Sequence, residues 1–136
     1  MSNNGFTGTW KLNLVKSENL PNTKSQILVI DTDGINISFK EKLINDMDEH
    51  LDIAVRGRLD GSDNPVTGTA FADTVSYRLL NDHTFEGIAK KNGRVCVKEK
   101  AVLSKDENTV YVTYESYDEG GNIQISRGIF ERVTSS

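Results

Sequence analysis

Cysteine, proline and histidine are scarce in this chain, and each scarcity removes a class of explanation. With a single cysteine, Cys96, no internal disulfide can form, so the fold rests on burial and backbone pairing. The two prolines, Pro21 and Pro65, both fall in stretches that read as loops. The two histidines, His50 and His83, have no His or Cys neighbour at metal-ligand spacing, so no metal site is expected. Positive charge is short as well: 16 Lys and Arg stand against 20 Asp and Glu, a net charge of -4. That balance speaks against nucleic acid or an anionic membrane as the main partner, because both are bound through a concentrated positive field. Long apolar runs are missing too. The longest aliphatic run, Ile27-Leu28-Val29-Ile30, falls far short of the roughly 20 residues a membrane-spanning helix needs. Met1 to Gly5 lacks the basic-then-apolar pattern of a signal peptide, and a cytoplasmic location is expected. There is no internal repeat, no glycine-rich phosphate loop and no Gly-x-Ser-x-Gly motif, so no cofactor is expected.

What remains is an ordinary globular composition, 36% hydrophobic and 26% charged over 136 residues. Such a chain has room for one domain, expected to span residues 1–136, and enough apolar material for a sizeable core. Its dominant pattern is alternation. Trp10, Leu12 and Leu14 fall on one face of an extended segment and Thr9, Lys11 and Asn13 on the other. The same period recurs in Ile35, Ile37 and Phe39, in Leu51, Ile53 and Val55, in Val75, Tyr77 and Leu79, and in Val95, Val97, Ala101 and Leu103. Turn formers separate these runs: Asp33-Gly34, Asp60-Gly61, Asn81-Asp82-His83, Asn92-Gly93 and Glu119-Gly120-Gly121.

Two stretches are less regular. Glu41 to Leu51 also fits a helical stripe through Leu43, Ile44, Met47 and Leu51, but a turn at Asn45-Asp46-Met47-Asp48 between two strands is favoured. Ser62 to Ala72 is rich in turn formers, with a short strand near Val66 or Phe71. The count is about nine or ten strands at the spacing typical of all-β folds. This predicts a single antiparallel up-and-down β-barrel, because closure removes the unpaired edges that a long meander exposes.

Gly8-Thr9-Trp10-Lys11-Leu12 resembles the opening Gly-x-Trp strand of the calycin group, the lipocalins and fatty-acid-binding proteins. Ile129-Phe130-Glu131-Arg132-Val133 is similar to the last strand of the fatty-acid-binding branch. Asp60 to Gly68 together with Ala72 to Tyr77 resembles small bacterial lipocalin-like proteins, mostly of unknown function. The resemblance implies a barrel with a ligand-holding interior. Two departures qualify it: the segment from Leu14 to Ser25 is too short for a two-helix lid, and Gly128 and Phe130 stand where the fatty-acid-binding pattern has its arginine and tyrosine. A fatty-acid carboxylate site is therefore not implied.

Alternation places Phe39, Ile53, Val55, Tyr77, Val97 and Tyr114 inside as candidate ligand-binding residues, and it puts Glu99 among them, between Val97 and Ala101. With Ile123, Ile125 and Ile129 inside, Arg127 also points inward; the resemblance favours the opposite phase, with Gly128 and Phe130 inside, and a bulge at Gly128 reconciles the two. The bland account of Glu99 and Arg127 is a partly buried ion pair or a wet barrel mouth. The sharper account has Arg127 holding an anionic or carbonyl group and Glu99 accepting a proton. Tyr77 and Tyr114 read as wall residues first and hydrogen-bond donors second. His50 and His83 read as solvated, His83 within reach of the barrel mouth; Cys96 reads as an unactivated thiol, and the basic hairpin from Lys90 to Lys105 as a solvated face. Asp31 to Gly34 and Asp60 to Asn64 lack the complete calcium-loop pattern and read as turns. The expected function is binding of a small, largely apolar molecule. The alternative implied by the resemblance is a cofactor-free cyclase or isomerase acting on a polyene or polyketide, with Glu99, Arg127, Tyr77 and Tyr114 as its catalytic groups.

Overall fold

Alternation along the sequence becomes pairing in the computed structural model, which describes residues 5–20, 22–69 and 71–133. Ten strands form: β1 (Gly8–Leu12), β2 (Thr23–Thr32), β3 (Asn36–Asn45), β4 (His50–Arg58), β5 (Asp60–Thr67), β6 (Thr74–Asn81), β7 (Thr84–Lys91), β8 (Arg94–Leu103), β9 (Thr109–Tyr117) and β10 (Ile123–Arg132). Each pairs antiparallel with the next, and β1 pairs with β10 through Trp10↔Arg132 and Leu12↔Phe130, closing an up-and-down barrel. Closure bonds the backbone groups that an open edge would present to other chains. No helix occurs among the described residues, so none is long and apolar enough to cross a membrane. The described residues between β1 and β2 accordingly carry no helical lid.

Local chemistry settles the ambiguous stretch. At the β3–β4 turn, the Asn45 side-chain oxygen accepts the Met47 and Glu49 N–H groups at 3.0 and 2.9 Å, and Asp48 adopts a φ of 60°. Leu43 then pairs with Leu51 across the hairpin, which a helix would not permit. Asn92 and Gly93 take φ values of 52° and 79°, the type I′ geometry that their dipeptide favours. At Asp33-Gly34 only the glycine is left-handed, and the Asp33 carboxylate accepts the Ile35 and Asn36 N–H groups. Asp60 accepts the Ser62 N–H in the same way. These carboxylates are occupied by their own turns, which holds both below the usual carboxylate range.

The stretch expected to be mostly turn instead forms β5, across Pro65. Its seam with β4 is thin, carried by Ala54↔Thr67 and Val55↔Val66. A residue without an N–H is tolerated where the ladder is sparse. Gly68 follows at a φ of 89°, where an added Cβ would lie 1.7 Å from the Asp52 carbonyl oxygen, so the chain passes β4 here only as glycine.

One end of the barrel is filled. Phe6, Trp10, Ile30, Val110 and Phe130 are all but completely enclosed there. Trp10 closes this end as expected: its indole N–H donates to the Phe6 carbonyl at 2.9 Å, and the Arg132 guanidinium lies 4.3 Å from the ring centroid. Arg132 also donates to the Thr7 and Glu107 carbonyls at 2.9 Å each, tying the first and last strands to a loop. Phe6, which precedes the first strand and escaped the sequence reading, meets Phe85 edge-on at 4.8 Å.

Candidate functional site

Toward the other end the inward side chains no longer meet across the axis, and a cavity of about 550 Å³ opens among them. That volume lies in the range of about 300–1,000 Å³ typical of small-molecule sites. Its mouth is bordered by Leu20, Asn22, Asn45, Phe71, Ser116 and Gln124. Seven of the eight residues proposed from sequence line it: Phe39, Ile53, Val55, Tyr77, Val97, Glu99 and Tyr114. They come from β3, β4, β6, β8 and β9, so the barrel itself converges them.

Arg127 is the exception. β9 and β10 pair without a register shift from Ile123↔Tyr117 to Glu131↔Thr109, so there is no bulge at Gly128. Ser126, Gly128 and Phe130 face inward, and Arg127 faces out, its guanidinium 3.1 Å from the Glu18 carboxylate. Backbone bonding fixes this arrangement. β1 is shorter than β10, and residues 13–18 run alongside the exposed remainder of β10, with Glu18 and Arg127 exchanging N–H···O bonds of 2.8 and 2.9 Å. Ile123 and Ile125 are consequently exposed, contrary to the inward phase that their hydrophobicity suggested. Any role for Arg127 in holding an anionic ligand group, or in catalysis inside the barrel, is thereby removed.

A second carboxylate takes part instead. Glu41 follows Ile37 and Phe39 on the inner face of β3 and lines the cavity with Glu99. The Gln26 side chain, inward on β2, hydrogen-bonds Glu41 and partly offsets its burial. Glu99 lies over Gly87, where an added Cβ would come within 2.8 Å of its carboxyl oxygen and 3.1 Å of the Tyr77 ring. Gly87 pairs with Tyr77 on one side and with Glu99 on the other, and Glu99 pairs with Tyr114. One transverse row thus presents a phenol, a gap, a carboxyl and a second phenol to the cavity.

Electrostatics follow from enclosure. Burial pushes the Glu41 carboxyl up to about 7, against the lowering effect of Gln26. Burial, and then the Glu41 charge, push Glu99 up to about 7. The two carboxyls interact, so their titration belongs to the pair and not to either residue. Burial first, then the carboxyl charges, hold Tyr77 and Tyr114 well above the ordinary phenol range, which keeps both as neutral hydroxyls. Among the described residues nothing hydrogen-bonds or ion-pairs with the Glu99 carboxyl, yet none of its atoms is sealed without a partner; its free oxygens border the cavity space.

The remaining candidates stand apart. His50 is exposed on β4, and His83 is exposed in the β6–β7 turn at the filled end, away from the mouth it was expected to approach. Cys96 points out of the barrel toward the Ala89 carbonyl, 3.4 Å from its sulfur, and burial raises its thiol pKa, which argues against a nucleophile. In the basic hairpin, Lys90 pairs with Asp63 at 3.4 Å, Lys98 lies over the Tyr117 ring and Arg94 donates to the Asp118 carbonyl. Among the described residues no group of three or more His, Cys, Asp or Glu is placed to hold a metal ion. No protein-family model matches the chain, and no curated protein does either.

Proposed function

We propose that this protein binds a small, largely apolar molecule inside the barrel, in the manner of calycin or lipocalin-like carriers. The observation that supports this reading is the cavity of about 550 Å³, walled by Leu28, Ile53, Val55, Val75, Val97 and Val112, with a handful of polar groups. Apolar walls supply affinity through burial, and a few convergent polar groups supply orientation. The test is a titration with Nile red, a neutral apolar dye, against the protein and against Val55→Trp, which places an indole in the cavity. Saturable one-to-one binding, weakened about tenfold or more by the substitution, supports the reading; a tenfold loss corresponds to roughly 1.4 kcal/mol. Binding that does not saturate, or that the indole leaves unchanged, overturns it.

A second reading, cyclisation or isomerisation of the bound molecule without a cofactor, is favoured by the two enclosed carboxyls poised at about 7 beside two neutral phenols. A pKa near the working pH suits a group that must both give and take a proton. Glu99 and Glu41 would then move the proton, and Tyr77 and Tyr114 would polarise a carbonyl. Its test is incubation with linear polyene or polyketide precursors and a search for products of unchanged mass. Turnover lost in Glu99→Gln supports the assignment, and turnover that survives Glu99→Gln and Glu41→Gln together contradicts it.

A further inference from the structure

The cavity's charge composition says which apolar molecules it suits. Among the described residues that line it there is no Lys, Arg or His, while two carboxyls, Glu41 and Glu99, enter from β3 and β8 and two phenols, Tyr77 and Tyr114, from β6 and β9. Among the described residues Glu99 has no hydrogen-bond or ion-pair partner, and it faces the cavity space. A buried carboxylate without a counter-charge is costly, and an incoming cation supplies what the protein does not. We propose that the ligand is an apolar amine, bound as its ammonium ion with the charged nitrogen between Glu99 and Glu41 and the apolar body against the aliphatic wall. This rests on the reading that the interior binds ligand, and it assigns the ligand's polar end the charge opposite to the one an inward arginine would have required.

The chemistry on each side matches. An ammonium group donates and does not accept, and carboxylates accept and do not donate. Charge-assisted N–H···O bonds in an enclosed site are the strong ones. The phenol oxygens of Tyr77 and Tyr114 add acceptors beside Glu99, and the Phe39 and Tyr77 rings, 4.9 Å apart between centroids, offer aromatic faces to a cation. An anionic ligand would find hydroxyl and amide donors but no cationic side chain, and would face two carboxyls. A neutral one would leave both carboxyls without a counter-charge, Glu41 keeping only its bond from Gln26.

A matched probe series sharing one apolar body separates the alternatives: naphthylethylamine, ethylnaphthalene and naphthylacetate, each measured by calorimetric titration at pH 5 and pH 8.5. The amine is protonated at both pH values, so changes between them report the protein. The expected result is an amine preference over the neutral probe of about tenfold or more at pH 8.5, shrinking at pH 5 as the carboxyls protonate, with the carboxylate weakest. In Glu41→Gln with Glu99→Gln, the ratio of amine to ethylnaphthalene affinity should fall to about one. Circular dichroism and melting confirm that this variant is folded. An amine no tighter than ethylnaphthalene, a tighter carboxylate, or a preference that survives the double substitution overturns the inference and leaves interior binding standing. If none of the three probes binds saturably, interior binding falls with it.

Discussion

At the filled end, β2, β8, β9 and β10 bring Ile30, Leu103, Val110 and Phe130 together around Trp10. Further along those same strands the inward positions become Gln26, Glu99, Tyr114 with Ser116, and Ser126 with Gln124. The same four strands serve both ends, so what distinguishes them here is the side chains they turn inward. One end is apolar, filled and tied shut by Arg132; the other trades packing for space and carries polar groups that a packed core would exclude. The contrast teaches that close packing and open space are divided along the barrel axis, with Ile30, Phe85 and Val110 at the boundary lining the cavity floor.

The largest effect expected from this division belongs to the filled end. Trp10→Ala removes the centre of that cluster and strips Arg132 of its ring, and denaturant unfolding should show a loss of about 3–5 kcal/mol. Gly68→Ala, near the thin β4–β5 seam, forces a Cβ against the Asp52 carbonyl. A loss of about 1–3 kcal/mol is expected by chemical denaturation, from backbone strain at a left-handed position.

The cavity end should respond in the opposite direction. A carboxyl whose folded pKa lies above its unfolded value stabilises the fold while protonated and loses that contribution as pH rises from the unfolded toward the folded value. For Glu41 and Glu99 that window runs from the ordinary 4.5 to about 7. The melting temperature should therefore fall across it and level off above. Glu41→Gln with Glu99→Gln should abolish the fall and raise stability at pH 8 by on the order of 2 kcal/mol, with little change at pH 4.5. A variant less stable than the parent at pH 8 would show that the carboxylates are structural ion-pair partners after all. The exposed Asp33, Asp60, Asp106, Asp118 and Glu131, all held below the usual range by hydrogen bonds, work in a separate and more acidic window, where they lose their contribution as pH falls.

The smallest effect belongs to Arg127→Met. An exposed ion pair with Glu18 is worth at most about 1 kcal/mol, so stability should change by less than that, and probe affinity should not change. A large loss of binding here would return the arginine to the interior.

The filled end was legible in the sequence because burial there obeys the binary pattern. Trp10, Leu12, Phe85 and Val110 are apolar at inward positions of alternating runs, whereas Phe130 follows Ile129 and was placed inward only by the resemblance. Phe6 was missed although it shares the phase of Trp10 and Leu12, since it precedes the strand and Gly8 breaks the apolar run between them. At the cavity end the pattern weakens for a physical reason: a wall that must leave room uses small and polar inward residues. Glu99 was still readable, because Val97 and Ala101 flank it. Glu41 stood one alternation beyond Phe39, but the adjacent Leu43-Ile44 pair suggested a helical stripe and hid it. In β10 the pattern misled outright, since Gln124, Ser126 and Gly128 are inward while Ile123 and Ile125 are exposed. Hydrophobicity therefore pointed the strand, and Arg127 with it, the wrong way.

The division of the barrel is most directly tested by methyl chemical shifts during a titration with naphthylethylamine at pH 8. Ile53, Val55 and Val97, on the cavity wall, should move along one saturable curve, while Leu103 in the filled end and Ile27 and Ile123 on the outside stay in place. Shifts confined to the outer isoleucines, or none at all as the probe is raised to its solubility limit, would contradict the account.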